Sequence, residues 1–196
     1  MSAMKLILAS QSERRRDLLS AAAYEFEIIL PHENAECGIC SRETPPELVG
    51  RLAYQKAMDV AERVREPSVV IGCDTVAECQ GQIMGKPVDR KHAYKMLSLM
   101  SGRVHHVYSG LCLWRRPDDR FLIEVDVTKL QMEPLIESQL EAYLDTDAWQ
   151  GKAGALGFQD GPDWLTLLDG SASNVVGLPM ELLERMMVQM KKEPQD

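Results

Sequence analysis

Between Glu47 and Val64 the apolar residues Val49, Leu52, Ala53, Ala57, Val60, Ala61 and Val64 recur with helical period, and shortly afterwards Val69-Val70-Ile71-Gly72-Cys73 forms an unbroken apolar run. A helix with a single apolar stripe has to lay that stripe on something. The run that follows is too short for a helix and reads as a strand buried on both faces. Together they restrict the chain to helices layered on a sheet. The rest of the sequence repeats the alternation. Lys5 to Ala9 reads as a buried strand, and Ser10 to Ser12 open a helix with Leu18, Leu19 and Ala22 inward and with capping-box spacing between Ser10 and Glu13. Phe26 to Leu30 is a second strand, followed by a polar loop from Pro31 to Pro46 that carries Glu33 and Glu36.

The run Val69 to Cys73 is expected to end at Asp74, with a hairpin over Val76 to Met84 turning near Gln80-Gly81. Asp89 caps a helix reaching about Met100. His105 to Trp114 and Phe121 to Leu130 form long antiparallel strands joined through Pro117-Asp118-Asp119. A helix over Glu133 to Leu144, a glycine-rich loop over Gly151 to Gly161, a strand over Trp164 to Leu168 and a helix over Pro179 to Met190 complete the chain. Helices and strands interleave without an internal repeat, which makes the class α/β with a mixed sheet and one domain over residues 1–196.

The net charge of −8 argues against a nucleic-acid polymer as partner, because such binding is driven by cations, but leaves room for a single nucleotide held by a local cation cluster. No apolar run approaches the roughly 20 residues that span a bilayer, and Met1 to Ala9 lacks the parts of a signal peptide, so a cytoplasmic protein away from membranes is expected. The five cysteines are odd in number and scattered, which suggests reduced thiols. Cys37-x-x-Cys40 is half a zinc pattern with only His32 nearby, and reads as two loop thiols rather than a metal site. The tail beyond Lys191 is expected to fray at Pro194.

Several blocks carry candidate chemistry. In Ser10-Gln11-Ser12-Glu13-Arg14-Arg15 a strand feeds a helix whose free N–H groups form an anion site. Ser10 and Ser12 add hydroxyl donors. Arg14 and Arg15, four residues before Leu18 and Leu19, leave the first turn on the inward side, whereas Arg16 belongs to solvent. Lys56 lies on the apolar stripe of its helix and either snorkels outward or meets an anion. Asp74, just past a buried strand, is placed to accept a proton or ligate a metal; a turn aspartate capping its own backbone is the plain reading.

Lys86, extended before Pro87 and after Gly85, suits a phosphate, although the spacing from Gly81 and the missing Ser or Thr exclude a Walker loop. Lys152 and Gln159 sit in the small-residue loop, where Gln159 offers both donor and acceptor to a base edge. His105 and His106 face opposite ways along their strand, so one of the two can reach a cleft, although a structural histidine is the simpler reading. The methionines Met96, Met100, Met186, Met187 and Met190 read as core.

The order of these blocks is more specific than any one of them. Ala9-Ser10-x-Ser12-x-Arg14-Arg15, Leu52-Ala53-x-x-Lys56-Ala57, Gly72-x-Asp74-Thr75-Val76, Gly85-Lys86-Pro87, Ser101-Gly102-Arg103-x-His105-x-Val107-Tyr108-Ser109-Gly110, Lys152-Ala153-Gly154 and Asn174-Val175-Val176-Gly177-Leu178-Pro179 together resemble the Maf family over nearly the whole chain. The resemblance implies an elongated, twisted mixed sheet flanked by helices, in two lobes with a cleft, related in fold to inosine triphosphate pyrophosphatases. It implies a nucleoside triphosphate pyrophosphatase that uses magnesium or manganese, often as a homodimer, in a family linked to cell-division arrest and removal of modified nucleotides. Asp74 matches the proton acceptor, and Arg14, Arg15, Lys56, Lys86 and Lys152 match the cationic positions, with Lys86 grouped beside Asp74 as catalytic. Arg14, Thr75 and Gln159 match positions that mark a subgroup cleaving dTTP and UTP.

The chain departs from the family pattern where Glu13 replaces a proline and where Leu156 stands one residue late for an aromatic. It departs again where Pro31-His32-Glu33-Asn34-Ala35-Glu36 replaces an Asp-Glu pair, which leaves the metal-site position open between Glu33 and Glu36 beside Asp74. The expected reaction is attack of water on the α-phosphorus with release of pyrophosphate. The competing reading is a non-catalytic nucleotide-binding regulator of cell division. A nucleotide kinase is disfavoured by the missing phosphate loop.

Overall fold

The computed structural model describes residues 4–36, 42–159 and 163–192. Cys37, Cys40 and the tail from Glu193 onward, the subject of two expectations above, lie outside the described residues. In chain order the elements are β1 (Lys5–Leu8), α1 (Glu13–Ala21), β2 (Glu27–Ile28), α2 (Pro45–Ala61), β3 (Ser68–Cys79), β4 (Gln82–Met84), α3 (Arg90–Met100), β5 (Val104–Arg116), β6 (Arg120–Met132), α4 (Glu137–Leu144), a 3-10 turn (Ala153–Ala155), β7 (Leu165–Asp169), α5 (Ala172–Val176) and α6 (Met180–Lys191). One mixed sheet runs β2-β1-β3-β5-β6-β7, with β4 added to β3. β1 is parallel to β2 and β3, and the other pairings are antiparallel.

The layout follows from lengths and register. β5 covers one edge of β3 from Ser68 to Glu78. The opposite edge is shared: β1 pairs with Ser68 to Ile71, and β4 pairs with Ala77 to Cys79. Between them Gly72 to Val76 has no strand partner on that side among the described residues, so the sheet carries a gap in the middle of its central strand. On one side of the gap α1, α6 and the inward residues Leu19, Leu111, Leu113, Leu183 and Met186 form a core, and α2 forms another with Ile7, Val70 and Cys112. On the other side α3 and α4 pack Met96, Leu97, Met100, Leu140 and Leu144 around Met132 and Trp149.

Asp74 was expected just beyond the end of its strand. It lies instead inside β3, paired with Gly110 of β5. The apolar run does stop at Cys73, but the long partner β5 keeps supplying ladder hydrogen bonds, and Thr75-Val76-Ala77 can occupy them. The Ser10–Glu13 capping box is also absent. α1 starts at Glu13 with Ser12 in the capping position and no side-chain cap, Ser10 Oγ accepts from Ser12 N at 3.2 Å, and Glu13 turns to Arg16 at 3.2 Å. α2 begins earlier than its apolar stripe because Thr44 and Glu47 form a capping box ahead of it, with Thr44 N donating to Glu47 Oε2 at 2.8 Å. The second strand shrinks to Glu27–Ile28. α4 starts only after Pro134, since the Glu133 N–H donates to Trp164 O at 2.9 Å. α5 was not expected at all.

The other elements match the expectations closely. The hairpin turns at Gln80-Gly81, both at positive φ, and Asp89 caps α3 by accepting from His92 N at 2.7 Å. Met96, Met100, Met186 and Met190 are buried, as are the free thiols Cys73, Cys79 and Cys112. Among the described residues no helix is long and apolar enough to cross a membrane.

α2 lies on β3 and β5 at backbone contact. A Cβ added at Gly72 would stand 2.1 Å from Ala53 O, and one at Gly110 would stand 2.1 Å from Val49 O. Side chains at these positions would push the helix off the sheet. Gly72→Ala is therefore expected to lower stability by about 1–3 kcal/mol, the scale of overpacking, seen as a lower urea midpoint at unchanged slope. Gly50→Ala, whose added Cβ meets only side-chain methyls at 3.6 and 3.7 Å, should be neutral or gain about 0.5–1 kcal/mol from helix propensity. Equal midpoints for Gly72→Ala and the parent protein would contradict the close-contact account.

Candidate functional site

A cleft of about 330 Å³ opens at the gap in β3's edge. Its polar part is lined by Ser12, Arg14, Arg15, Asp17, Lys56, Asp74, Thr75, Lys86 and Lys152, and its apolar part by Ala77, Met100, Val107, Leu130, Leu156, Phe158, Leu165 and Val175, with His105 and Gln159 also on the wall. Five cations face two carboxylates in this lining, whereas the whole chain carries −8. The volume suits a small ligand, and the lining suits one with a strongly anionic end and a flat, less polar end.

Each side chain arrives from a different element. The β1–α1 turn passes the upper margin of the gap and presents Ser12, Arg14 and Arg15. Arg15 is buried, and all three of its guanidinium nitrogens already donate: Nε to Gly177 O at 2.8 Å, Nη1 to Ser10 Oγ at 3.1 Å and Nη2 to Thr75 Oγ1 at 3.2 Å. Ser10 is buried behind the turn and is not part of the cleft wall; its hydroxyl anchors Arg15 and the Ser12 N–H. Arg14 reaches across to Gly151 O at 2.9 Å, tying α1 to the small-residue loop.

That loop docks on the segment before Lys86 through Gly154 N to Gly85 O at 3.1 Å, with Gly154 at φ 67. A Cβ there would meet Ala77 Cβ at 3.0 Å, so the loop lies directly on β3. Lys152 is buried within it. Lys86 leaves β4 at the lower margin of the gap and makes no hydrogen bond or ion pair among the described residues. Desolvation pushes its ammonium below the ordinary lysine pKa, and the charges of Arg15 and Lys56 push the same way against a smaller opposing effect of Asp74.

Lys56 resolves its two readings in favour of an anion. It is buried on the inner stripe of α2 and its Nζ meets Asp74 Oδ1 at 2.5 Å, Glu36 Oε2 at 3.3 Å and Cys73 O at 3.4 Å. The structure thus brings Glu36 to Asp74 through a shared cation. Glu33 is exposed and makes no such contact among the described residues. No group of three His, Cys, Asp or Glu side chains forms a closed metal cage among the described residues. Asp74 and Glu36 meet at the Lys56 ammonium, and a carboxylate pair is the donor type that magnesium and manganese take, completing their shell with substrate oxygens and water.

Some residues in the site had no role assigned from sequence. Thr75 Oγ1 bonds Ser109 Oγ at 2.8 Å, and Ser109 Oγ donates to Asn174 O at 3.3 Å. Gly177 O is the common acceptor for Arg15, Cys73 and Thr75. Ser109, Asn174 and Gly177 belong to motif blocks that carried the resemblance, but nothing in their spacing says they meet. His105 faces the cleft, is buried, and its Nδ1 has no partner among the described residues; burial lowers its pKa and so favours the neutral ring. Asp17 and Phe158 also line the wall without a signal in the sequence.

Residues 5–190 match the family described as Maf-like protein. A dTTP/UTP pyrophosphatase of Rhodopirellula baltica is 55% identical over 183 residues, covering 93% of this chain and 80% of that protein. A dTTP/UTP pyrophosphatase of Carboxydothermus hydrogenoformans is 40% identical over 183 residues, covering 93% and 96%. One from a Thermoanaerobacter species is 38% identical over 181 residues, covering 92% and 93%.

The lowered pKa of Lys86 has a measurable consequence. As pH rises, this ammonium loses its charge earlier than an ordinary lysine would, and an anion bound beside it loses affinity. Inorganic pyrophosphate titrated calorimetrically from pH 7 upward should weaken over this range in the parent protein. Lys86→Arg, which stays charged, should flatten the fall. The ligand's own ionisation is common to both proteins, so superimposable curves would show that Lys86 does not meet the anion.

Proposed function

The chain belongs to the Maf-like protein family, and on that premise we propose that it hydrolyses the α–β anhydride of a nucleoside triphosphate, releasing the monophosphate and pyrophosphate. The carrying observation is the convergence of Arg14, Arg15, Lys56, Lys86 and Lys152 with Asp74 at one gap in the sheet of an otherwise acidic chain. The relatives named dTTP/UTP pyrophosphatase support the same reading.

In this reading the triphosphate lies against Ser12, Arg14, Arg15, Lys86 and Lys152, and the nucleoside extends along Phe158, Leu156 and Gln159. A water molecule attacks the α-phosphorus opposite the bridging oxygen, Asp74 accepts its proton, and the α–β bond breaks with both electrons leaving on pyrophosphate. Lys86 meets the charge that builds on the departing group. Lys56 fixes the direction of the Asp74 carboxylate. Asp74 and Glu36, rather than Glu33, would hold magnesium or manganese, which would offset charge on the phosphate oxygens. Thr75, held by Arg15 and Ser109, and Gln159 on the rim contact the nucleotide and favour a pyrimidine such as thymine or uracil.

Asp74→Asn retains an oxygen for Lys56 but removes the basicity. Turnover of dTTP is expected to fall by about 10²–10⁴-fold, the range of a general base, while nucleotide affinity and the folded state persist. Near-parental turnover would remove Asp74 from the proton-accepting role. Product analysis tests the reaction itself: diphosphate and orthophosphate in place of monophosphate and pyrophosphate would overturn it. Ranking dTTP, UTP and 7-methyl-GTP tests the base preference, which a strong bias to the purine would contradict. Chelation with EDTA should abolish turnover and added magnesium or manganese restore it.

A further inference from the structure

The cleft has two ends of different chemistry. Thr75 belongs to the cationic end, where its Oγ1 meets Arg15 Nη2 at 3.2 Å and Ser109 Oγ at 2.8 Å. Alternate residues of a strand share a face, so Ser109, Val107 and His105 share one face of β5, and Val107 and His105 line the cleft. Thr75 stands opposite Ser109, Ala77 opposite Val107 and Leu130 opposite His105. At the rise of an extended strand, His105 lies about 13 Å along β5 from Ser109. A nucleoside held by its phosphate can span that separation.

The far end is apolar, with Met100, Leu130, Phe158 and Leu165 on its wall. His105 stands among them. It is 3% exposed, and its Nδ1 has no hydrogen-bond partner among the described residues. Two other buried side-chain atoms share that condition, Ser98 Oγ and Asn174 Oδ1, and neither residue lines the cleft. A polar group left unmet in apolar surroundings is costly. One that lines a cleft points to a ligand that meets it.

The state of the ring sets what that ligand must offer. Burial has the largest influence on His105 and favours the neutral form; the Arg103 backbone, accepting a ring N–H, opposes it. A neutral imidazole has one N–H and one bare nitrogen. With the N–H committed to the backbone, the ring offers the cleft an acceptor and no donor. Its complement is a flat group with an N–H on its edge.

We propose that His105 reads the nucleobase, accepting a hydrogen bond from N3–H of uracil or thymine. The inference rests on the nucleotide reading given above and adds a specificity-determining residue to it. Cytosine presents a bare nitrogen at N3, so two acceptors would face each other in an apolar pocket. A polar mismatch of this kind discriminates more strongly than a difference in size. Gln159 can turn its amide to suit either base, whereas the imidazole is held in one state by Arg103.

The test reads binding, so the fate of the anhydride bond does not enter. The α,β-imido analogues of dUTP, dCTP and N3-methyl-dUTP, which resist cleavage at that bond, are titrated calorimetrically into the full chain with magnesium. The parent protein should bind the dUTP analogue about tenfold or more tighter than the other two, the scale of a buried polar group left unmet. His105→Phe keeps a flat ring without an acceptor. Its preference for the dUTP over the dCTP analogue should shrink to within about threefold, chiefly through weaker dUTP binding. Pyrophosphate, which has no base, should bind this variant and the parent protein alike; a ring with only a structural role would weaken every ligand together. His105→Asn, which can offer either a donor or an acceptor, should bind both bases alike, and serves if the phenyl ring disturbs the fold. A parent protein without preference for the dUTP analogue, or a preference undiminished in both variants, would overturn the proposal. Failure of the hydrolysis reading is distinct: it shows as diphosphate and orthophosphate among the products of dTTP and leaves these affinities unchanged.

Discussion

Backbone contact between α2 and the sheet sets the position of everything in the cleft. Ala53 O lies where a side chain at Gly72 would be, and Val49 O lies where one at Gly110 would be. A helix this close to β3 carries Lys56 down to the level of Asp74, where its ammonium is shared by Asp74 and Glu36. A lysine buried on an apolar stripe is costly unless it meets an anion, and the anion is supplied from another element. The contact thus couples the packing of a small-residue helix to the charge arrangement of the site. One extra methyl at the interface would disturb both.

The second constraint is the unequal length of the strands. β5 and β6 are long enough to carry β3 through both ends of the molecule, whereas β1 and β4 are short and leave Gly72 to Val76 unpaired on one side. At this gap Asp74 and Thr75 line the cleft. The β1–α1 turn, the segment after β4 and the loop around Gly154 close around it, each contributing cations. The Lys86 ammonium is held below the ordinary lysine pKa first by its burial and then by the charges of Arg15 and Lys56, so the gathered cations repel one another. An anion entering the cleft relieves that repulsion, so the site is arranged around the ligand's charge.

Rigidity comes from neutral groups as much as from ions. Arg15, Thr75, Ser109, Asn174 and Gly177 form a buried chain of hydrogen bonds linking α1, β3, β5 and α5. Arg15 spends Nε and Nη2 on this chain and Nη1 on Ser10 Oγ, which makes it a strut for Thr75 as well as a charge. Donors fixed before the ligand arrives need no reorganisation when charge shifts toward them. Arg14 and Gly154 hold the small-residue loop from opposite margins of the gap.

The sequence by itself determined the elements whose signals are local: the period of α2, the apolar runs of β1 and β3, the Gln80-Gly81 turn, the Asp89 cap and the inward placement of Lys56. It also determined the residue types of the cleft, because lysines and arginines beside glycine or on apolar faces are conspicuous along the chain. Tertiary structure decided where those signals stop and what they meet. Asp74 stays in strand because β5 extends past it, and the apolar pattern of β3 alone holds no information about a partner's length. Glu36, rather than Glu33, reaches Lys56 because loop geometry, not composition, sets which carboxylate approaches. Ser109, Asn174 and Gly177 became a network only when β5 and α5 were packed together. Periodicity records the face an element buries; the identity of the neighbour across that face is a property of the folded chain, fixed by contacts between residues distant in sequence.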